Sequence, residues 1–246
     1  MLGLPENIDA LLFDLDGVLT QTAKVHADAW KQTFDEFLHK RAEDDGEAFV
    51  PFEKTSDYDE YVDGKPREDG VRSFLQSRGI ELPEGQADDP ADAQTIQGVG
   101  NNKNRRVLEL IREHGVESYE GSVRYVREAK QAGLKRAVVS SSTNCHDVLV
   151  AAKIEDLFDV VVDGVVAHRE HLQGKPAPDT FLAGAAALGV EPAHAVVFED
   201  ALAGVAAGRA GNFGYVVGVD RVGQRDALTS HGADVVVEDL EELLDA

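Results

Sequence analysis

The pattern of apolar and polar residues differs between two parts of this chain. One part has the pattern of strands alternating with helices, and the other has a helical pattern only. Six short apolar or β-branched runs have the character of strands, and the last five are separated by stretches with helical spacing. Strands that alternate with helices form parallel, doubly wound sheets. We therefore predict an α/β fold built on such a sheet, with a final helix after the last strand. The predicted strands cover residues 10–13, 135–139, 159–162, 195–198, 215–219 and 234–237.

The stretch between the first two strands has no strand pattern. The first strand belongs with the five later ones, so this stretch is predicted to be an all-helical domain inserted into the sheet domain. The predicted boundaries are residues 1–20 and 119–246 for the sheet domain and residues 21–118 for the helical cap.

Within the insertion, the apolar spacing predicts a helix over residues 22–40 with Trp30 at the edge of its apolar face. Residues 41–63 are predicted to be a loop with a short helix, and a further helix ends near residue 78. Residues 80–97 contain two prolines and a glycine and are typical of a solvated insertion. The last helix of the insertion is predicted to open at the basic cluster 103–106 and end near residue 114.

The composition restricts the partners. The chain has 246 residues, 43% of them hydrophobic, and a formal charge of −22. So acidic a surface argues against nucleic acid or an anionic membrane as a partner, and a phosphorylated substrate must be attracted by local cations. No apolar run approaches the ~20 residues that span a bilayer. Cys145 is the only cysteine, which excludes an intrachain disulfide and favours a reducing compartment. We expect a soluble, cytoplasmic monomer.

The first strand ends in two carboxylates, Asp14 and Asp16, followed by Gly17. Side chains two apart on an extended chain point the same way, so both carboxylates can face one site. They repel each other and therefore need a cation, a shared proton or open water. A solvated strand end is the alternative. A calcium loop is a poor match, because its repeating acids and closing Glu are absent.

Three further stretches stand at, or close to, the carboxyl ends of predicted strands, where active sites of open α/β sheets lie. They are the hydroxyl-rich turn 140–144, Lys175 in a Gly-Lys-Pro segment, and the pair Glu199 and Asp200. Carboxylates with few other protein ligands suit Mg²⁺, which often bridges to phosphate. Hydroxyls, backbone N–H groups and a lysine suit the oxygens of a phosphoryl group. This combination indicates phosphoryl transfer.

These four motifs, in this order, resemble the haloacid dehalogenase superfamily of phosphotransferases, over essentially the whole chain. The resemblance implies that Asp14 is the nucleophile that forms an aspartyl phosphate and that Asp16 is the general acid and base. Ser140 and Lys175 would hold the transferred phosphoryl group. The implied Mg²⁺ ligands are Asp14, the backbone carbonyl of Asp16 and Asp200, with Glu199 beside or on the metal.

The chain is most similar to the β-phosphoglucomutase family within that superfamily. The match rests on Thr22, His26 and the segment 29–31 after the first motif, on Arg67-Glu68-Asp69 in the helical insertion, and on the turn 140–144. It implies that Arg67, Ser142 and Asn144 grip the phosphate that is not transferred, and that His26 couples sugar binding to Asp16. Lys103 is a looser match to the lysine of the family's cap.

The chain also departs from the family. Thr143 stands where that family often has Lys, and residues 41–60 and 80–97 lengthen the cap. The leading hypothesis is a Mg²⁺-dependent mutase that interconverts β-glucose 1-phosphate and glucose 6-phosphate. The alternatives are a sugar-phosphate phosphatase and a catalytically inactive binding module.

For several of these residues a simpler interpretation, without a catalytic or binding role, is also open. His26 can be a capping or surface group, and Arg67 can be a solvated partner of Glu68 or Asp69. Cys145 is interpreted as a small helix residue. We expect the remaining histidines to be surface groups: His39, His114, His146, His168, His171, His194 and His231.

Overall fold

The computed structural model describes residues 2–244, and their contacts divide the chain into two compact units. The chain up to Thr22 and from Val116 onward forms one unit, which we call the sheet unit. Ala23–Gly115 forms the other, which we call the helical unit. The predicted domain boundaries lie two and three residues from these divisions, at 20/21 and 118/119.

The sheet unit is built on six parallel strands in the order β3-β2-β1-β4-β5-β6. The central strand, β1, pairs with β2 on one side and β4 on the other, with Phe13 opposite Val138 and Phe198. All four residues of β1 are fully buried, which is why this strand is a continuous apolar run. The strands are β1 Ala10–Phe13, β2 Lys135–Val139, β3 Val160–Val162, β4 Ala195–Glu199, β5 Tyr215–Val219 and β6 Val235–Val237.

Alternate strand residues contribute to cores on the two faces of this sheet. On one face, Leu12 belongs to a cluster with Phe181 and Ala185. Phe13, which points the opposite way, stacks on Phe198 with ring centroids 4.5 Å apart and meets Tyr125 edge-on. The helices of this unit are α4 Glu120–Gln131, α5 Cys145–Ala151, α6 Gly164–Arg169, α7 Asp179–Leu188, α8 Leu202–Ala210 and α9 Arg225–His231. The prediction of a doubly wound parallel sheet is confirmed.

In the sheet unit the sequence analysis missed one helix and got the type of another wrong. The sequence pattern missed α6, because six residues are too few to show helical periodicity; Asp163 starts this helix by accepting a hydrogen bond from the backbone N–H of Val166. The predicted final helix is instead a 3₁₀ segment, Leu240–Leu244. Acidic side chains bond the backbone there, with Glu242 accepting from the N–H groups of Glu238 and Asp239.

The helical unit contains no strand among its described residues. Its elements are α1 Thr22–Asp45, which begins on the last residue of the sheet unit, a π-helical turn Tyr58–Val62, α2 Arg67–Ser77 and α3 Ile96–His114. Its core is aromatic: Phe34 lies 4.9 Å from Trp30 and 4.2 Å from Phe74, measured between ring centroids. Trp30, predicted at the edge of the apolar face of α1, is 3% exposed. The Lys103 ammonium covers its ring.

Two helix boundaries in this unit differ from the sequence prediction. Helix α1 continues to Asp45, five residues beyond the predicted end, and an i,i+4 pair between Arg41 and Asp45 supports its polar last turn. Helix α3 starts at Ile96, because the Thr95 side chain caps it by accepting from the N–H of Gly98. Glycines in its first turns hid this start. Gly98 is required there, since a Cβ would lie 2.4 Å from the carbonyl oxygen of Ala93.

Exposure confirms the expectation for the remaining histidines, all of which lie at the surface. Cys145, by contrast, is buried in the first turn of α5, and burial raises the pKa of its thiol. Within residues 2–244, none of the helices combines the length and the apolar character that crossing a membrane requires.

Candidate active site

Lys175 lies at the carboxyl ends of three neighbouring strands and holds them together at one point. Its ammonium nitrogen is 2.5 Å from Asp14 Oδ1, 2.6 Å from Glu199 Oε1 and 3.2 Å from the carbonyl oxygen of Val139. These partners come from the ends of β1, β4 and β2, which are adjacent in the sheet. The side chain of Lys175 is 1% exposed. Residues 161 positions apart in the sequence therefore meet because of the strand order.

Glu199 is the second carboxylate that contacts Lys175. Its Oε1 accepts from Lys175, and its Oε2 accepts from the backbone N–H of Ala201 at 2.8 Å. Gly204 in α8 leaves room for this carboxylate, since a Cβ there would lie 1.7 Å from Oε1. Both oxygens of Glu199 therefore have a hydrogen-bond partner, which fixes this carboxylate beside Lys175.

Three buried carboxylates converge closely enough to hold a cation. Among the described residues, Asp14, Glu199 and Asp200 each offer an oxygen, and these oxygens lie within 4.8 Å of one another. Lys175 donates to two of these carboxylates, Asp14 and Glu199. Hard carboxylate oxygens are the ligands that Mg²⁺ prefers. The donor set therefore fits Mg²⁺.

Gly17 brings the turn after β1 against this cluster. Its φ is +85°, a left-handed conformation that disfavours residues with a side chain. A Cβ at this position would lie 1.7 Å from Asp200 Oδ2. Glycine is thus required twice here, once for the backbone conformation and once for the space that Asp200 occupies.

The carboxylate of Asp16 lies outside this side-chain cluster and is held by threonines. The Thr22 hydroxyl donates a short hydrogen bond to Asp16 Oδ1. Thr22 Oγ1 is in turn 2.6 Å from Thr20 Oγ1, and the Thr20 hydroxyl also lies 3.2 Å from the carbonyl oxygen of Leu15. The side chain of Asp16 is therefore oriented by its own turn, separately from the three clustered carboxylates.

Burial and shared charge shift the protonation of this cluster. Burial raises the pKa of Asp14 to about 6, against the opposing effect of Lys175 and with the help of Asp16. Burial likewise raises the pKa of Glu199 to about 7, again opposed by Lys175. Burial lowers the pKa of Lys175, but Asp14 and Glu199 outweigh this and raise it overall. Lys175 stays charged, while the carboxylates compete for one ammonium.

The hydroxyl-rich turn lies at the same edge of the sheet. Ser140 follows Val139 directly, is 2% exposed, and donates its backbone N–H to Val162 at 2.9 Å. Its hydroxyl oxygen accepts from the N–H of Ser142, and the Ser142 hydroxyl oxygen accepts from the N–H of Asn144, both at 3.1 Å. Helix α5 then begins at Cys145. The structure thus brings Ser140 next to the strand end that contacts Lys175, with Ser142 and Asn144 in the turn that follows.

The helical unit brings His26 and Lys103 together. The Lys103 ammonium lies 2.9 Å from His26 Nδ1 and 4.8 Å from the centre of the Trp30 ring. Burial, and then the charge of Lys103, lower the pKa of His26 well below its usual value. His26 is therefore a neutral ring that accepts from Lys103 through Nδ1. It is not the solvated surface group or helix cap that the simpler interpretation proposed.

Arg67 lies one helical turn away from Lys103. Its Nε would be 3.2 Å from a Cβ on Gly100, three residues before Lys103 in α3. Glu68 Oε1 accepts from both Nε and Nη2 of Arg67, at 3.0 and 2.8 Å. The structure therefore shows the ion pair of the simpler interpretation, with Glu68; Asp69 pairs with Arg72 instead. A phosphate must compete with Glu68 for this guanidinium.

Sequence patterns did not point to Arg221 and Gln224, which contact the loops that carry the candidate ligands. Both lie in the loop after β5, and β5 is the neighbour of β4 in the sheet. The rule that sites lie beyond the carboxyl ends of the strands covers this loop as well. The available signal was a polar loop directly after the predicted strand 215–219.

A parallel α/β sheet with a buried aspartate–lysine–carboxylate cluster beyond its strands defines a class of phosphate-handling enzymes. The sequence profile of the haloacid dehalogenase-like hydrolases matches residues 8–212. The chain belongs to this family, within its β-phosphoglucomutase-like subfamily.

Individual relatives and solved structures show which members of this family the chain is similar to. A β-phosphoglucomutase of Mycobacterium tuberculosis is 57% identical over 247 residues, which cover 99% of this chain and 94% of that protein. The crystal structure of β-phosphoglucomutase from Clostridium difficile has a TM-score of 0.75 at 26% identity and covers 96% of this chain and 93% of its own. CbbY from Rhodobacter sphaeroides, in complex with xylulose-1,5-bisphosphate, has a TM-score of 0.69 at 25% identity and covers 96% of both chains. The chain is an enzyme of this type.

Proposed function

We propose that this enzyme is a Mg²⁺-dependent phosphotransferase that works through an aspartyl phosphate on Asp14 and interconverts β-glucose 1-phosphate and glucose 6-phosphate. The observation that carries the proposal is the contact of Asp14 with Lys175 inside a cluster of buried carboxylates. The 57% identity with a β-phosphoglucomutase supports the choice of substrate.

The proposed chemistry assigns one role to each group of the sheet unit. Asp14, Asp200 and the backbone carbonyl of Asp16 would hold Mg²⁺, which would offset the charge of the phosphoryl oxygens. Asp14 Oδ attacks the phosphorus, the bond from phosphorus to the ester oxygen breaks, and Asp16 gives its proton to that oxygen. In the second half-reaction an acceptor hydroxyl returns a proton to Asp16 as its oxygen takes the phosphoryl group, and the bond from phosphorus to the Asp14 oxygen breaks, which regenerates the carboxylate. Lys175 keeps its proton throughout and, with Ser140, contacts the phosphoryl oxygens.

The second phosphate and the sugar are proposed to be held by Arg67, Lys103, Ser142 and Asn144, with His26 contacting the sugar. Support comes from the helical unit, where Arg67, the first residue of α2, lies against Gly100, one turn before Lys103 on α3, in a chain with a charge of −22. The Lys103 ammonium lies 2.9 Å from Nδ1 of His26, whose pKa burial lowers well below its usual value. Such a local positive patch suits a sugar phosphate.

A sugar-phosphate phosphatase is the second candidate. Two features favour it: Glu68 occupies the Arg67 guanidinium, and Thr143 stands where the β-phosphoglucomutase family often has Lys. Both features weaken the binding of a second phosphate. A mutase needs to bind this second phosphate, whereas a phosphatase does not. In that case water takes the place of the acceptor hydroxyl and the product is inorganic phosphate.

Turnover of β-glucose 1-phosphate, with and without catalytic glucose 1,6-bisphosphate, separates the two. We expect glucose 6-phosphate to form when the bisphosphate is present and little product without it. Release of inorganic phosphate at the same rate in both reactions would establish the phosphatase instead. Absence of any Mg²⁺-dependent turnover, together with no stabilisation by Mg²⁺ and phosphate analogues, would favour the inactive binding module.

A further inference from the structure

Arg221, in the loop after β5, forms hydrogen bonds with the turn that follows the candidate catalytic residues. Its Nε donates to the carbonyl oxygen of Gly17 at 2.8 Å, and its Nη2 lies 3.4 Å from the carbonyl oxygen of Val18. These two carbonyls come immediately after Asp16. The contact joins residues 204 positions apart, and the Arg221 side chain is 14% exposed.

The turn itself has internal hydrogen bonds that use its N–H groups. Gly17 N–H donates to Thr20, and the N–H groups of Leu19 and Thr20 both donate to Leu15. The carbonyls of Gly17 and Val18 point to Arg221 instead. Arg221 thus supplies donors to two carbonyls of a turn in which the N–H groups of residues 17, 19 and 20 are bonded within the turn.

The rest of the guanidinium is fixed by the sheet unit. Nη1 donates to the carbonyl oxygen of Glu238 at 2.5 Å and to Asp239 at 3.0 Å, and Nη2 donates to the Ser122 hydroxyl at 3.2 Å. The Cζ atom of Arg221 lies 3.5 Å from the centre of the Tyr119 ring. A planar fork with five N–H donors can satisfy these partners together, whereas a lysine ammonium has a single nitrogen.

The same loop also holds the second motif of the cluster. Gln224 donates from Nε2 to the backbone carbonyl of Asp200 at 3.0 Å. Asp220 Oδ1 accepts from the N–H groups of Gly223 and Gln224 at 2.7 and 2.8 Å, which fixes the shape of the loop. One loop therefore bonds the backbone on both sides of the place where Gly17 lies against Asp200.

We propose that Arg221 is a positioning residue for phosphoryl transfer: by binding the carbonyls of Gly17 and Val18 it places the acid Asp16 and keeps the turn against Asp200. The inference rests on the proposed function for its catalytic consequence. Its structural part, that Arg221 orders residues 14–20, can be tested without an activity assay.

The test compares Arg221→Met with Arg209→Met, a matched control. Arg209 lies at the end of α8, and its guanidinium likewise donates to a backbone carbonyl and a carboxylate, those of Gly232 and Asp234. Amide hydrogen exchange is followed on peptides covering residues 14–22 in the Mg²⁺-free protein. We expect exchange there to accelerate by about tenfold or more in Arg221→Met and to be unchanged in Arg209→Met.

Kinetics give the second readout. Arg221→Met should lower kcat by about 100-fold, since small misplacements of reacting groups have effects of that size. The half-saturating Mg²⁺ concentration should rise by about 10-fold to 100-fold, as for other residues that orient metal ligands. KM for the sugar phosphate at saturating Mg²⁺ should stay within about threefold, because no substrate contact is removed. Arg221→Lys should recover only a small part of kcat.

Three results would overturn the inference. They are unchanged exchange over residues 14–22, equal effects of Arg221→Met and Arg209→Met on exchange and kcat, and full recovery by Arg221→Lys, which would reduce the role to charge. If the wild-type protein shows no phosphoryl transfer, the proposed function fails, and the exchange comparison still decides whether Arg221 orders the turn.

Discussion

Replacing Gly17 by alanine should separate the cost of a strained backbone from the loss of a metal site. The residue has a φ of +85°, where an alanine is destabilised by about 1–2 kcal/mol. The added Cβ would also lie 1.7 Å from Asp200 Oδ2, where ordinary contact needs about twice that distance. The carboxylate must therefore move away by more than about 1 Å, and misplacement of that size is associated with ~10²-fold losses in activity.

Gly133 provides a matched control in the same unit. Its φ is +79°, and a Cβ there would have no atom within 4 Å. Gly133→Ala should thus lose about 1–2 kcal/mol of stability, as Gly17→Ala does through its backbone, with no effect on the site.

The assay measures urea unfolding, kcat and the Mg²⁺ concentration that gives half-maximal activity for both variants. We expect similar losses of stability, but a fall in kcat of about 100-fold and a raised Mg²⁺ requirement only in Gly17→Ala. Equal activity of the two variants would refute the idea that Gly17 makes room for Asp200. Activity lost in both, in proportion to the unfolded fraction, would refute the metal-site explanation.

Three further predictions address the acid, the pH dependence and the cap. Asp16→Asn should lower kcat by about 10²–10⁴-fold, because an amide cannot give a proton to the leaving oxygen. The Mg²⁺ affinity of this variant, measured by calorimetry, should be retained. Because burial raises the pKa of Asp14 from 3.8 to about 6, the proton competes with Mg²⁺ below that pH. The Mg²⁺ affinity measured by calorimetry should fall about tenfold per pH unit below about pH 6 and level off above about pH 7; a flat profile would contradict this. Arg67→Ala should cripple isomerisation of the sugar phosphate but spare hydrolysis of acetyl phosphate, which has no second phosphate to hold, and equal losses on both would point to misfolding of the helical unit.

Much of the sheet unit follows from local sequence patterns. The buried run before Asp14 and the five later runs predict the strands, and the rule for carboxyl ends brings Asp14, Ser140 and Glu199 to one edge. The environment of Lys175 needed the fold itself, because no local pattern shows that β2, β1 and β4 are neighbours there.

The start of α3 and the role of Arg221 could not be predicted from local sequence patterns. The start of α3 was missed because Gly98 and Gly100 lower helix propensity, whereas packing against Ala93 and Arg67 is what requires them. Sequence patterns did not identify Arg221, because its contacts with residues 17 and 18 are to backbone carbonyls, which carry no sequence identity. The domain boundaries, the roles of the site residues, the monomeric state and the cytoplasmic location stay predictions.

Trapping of a phosphoenzyme tests the central claim most directly, namely that Asp14 accepts the phosphoryl group. The enzyme is mixed with glucose 1,6-bisphosphate and Mg²⁺, quenched in acid within milliseconds, digested and examined by mass spectrometry. We predict one phosphoryl group on the peptide that contains Asp14, present in Asp200→Ala at a much lower level and absent in Asp14→Asn, since an amide is a far poorer nucleophile than a carboxylate. A phosphoenzyme formed at the wild-type level by Asp14→Asn, or one that maps to another residue, would contradict the account.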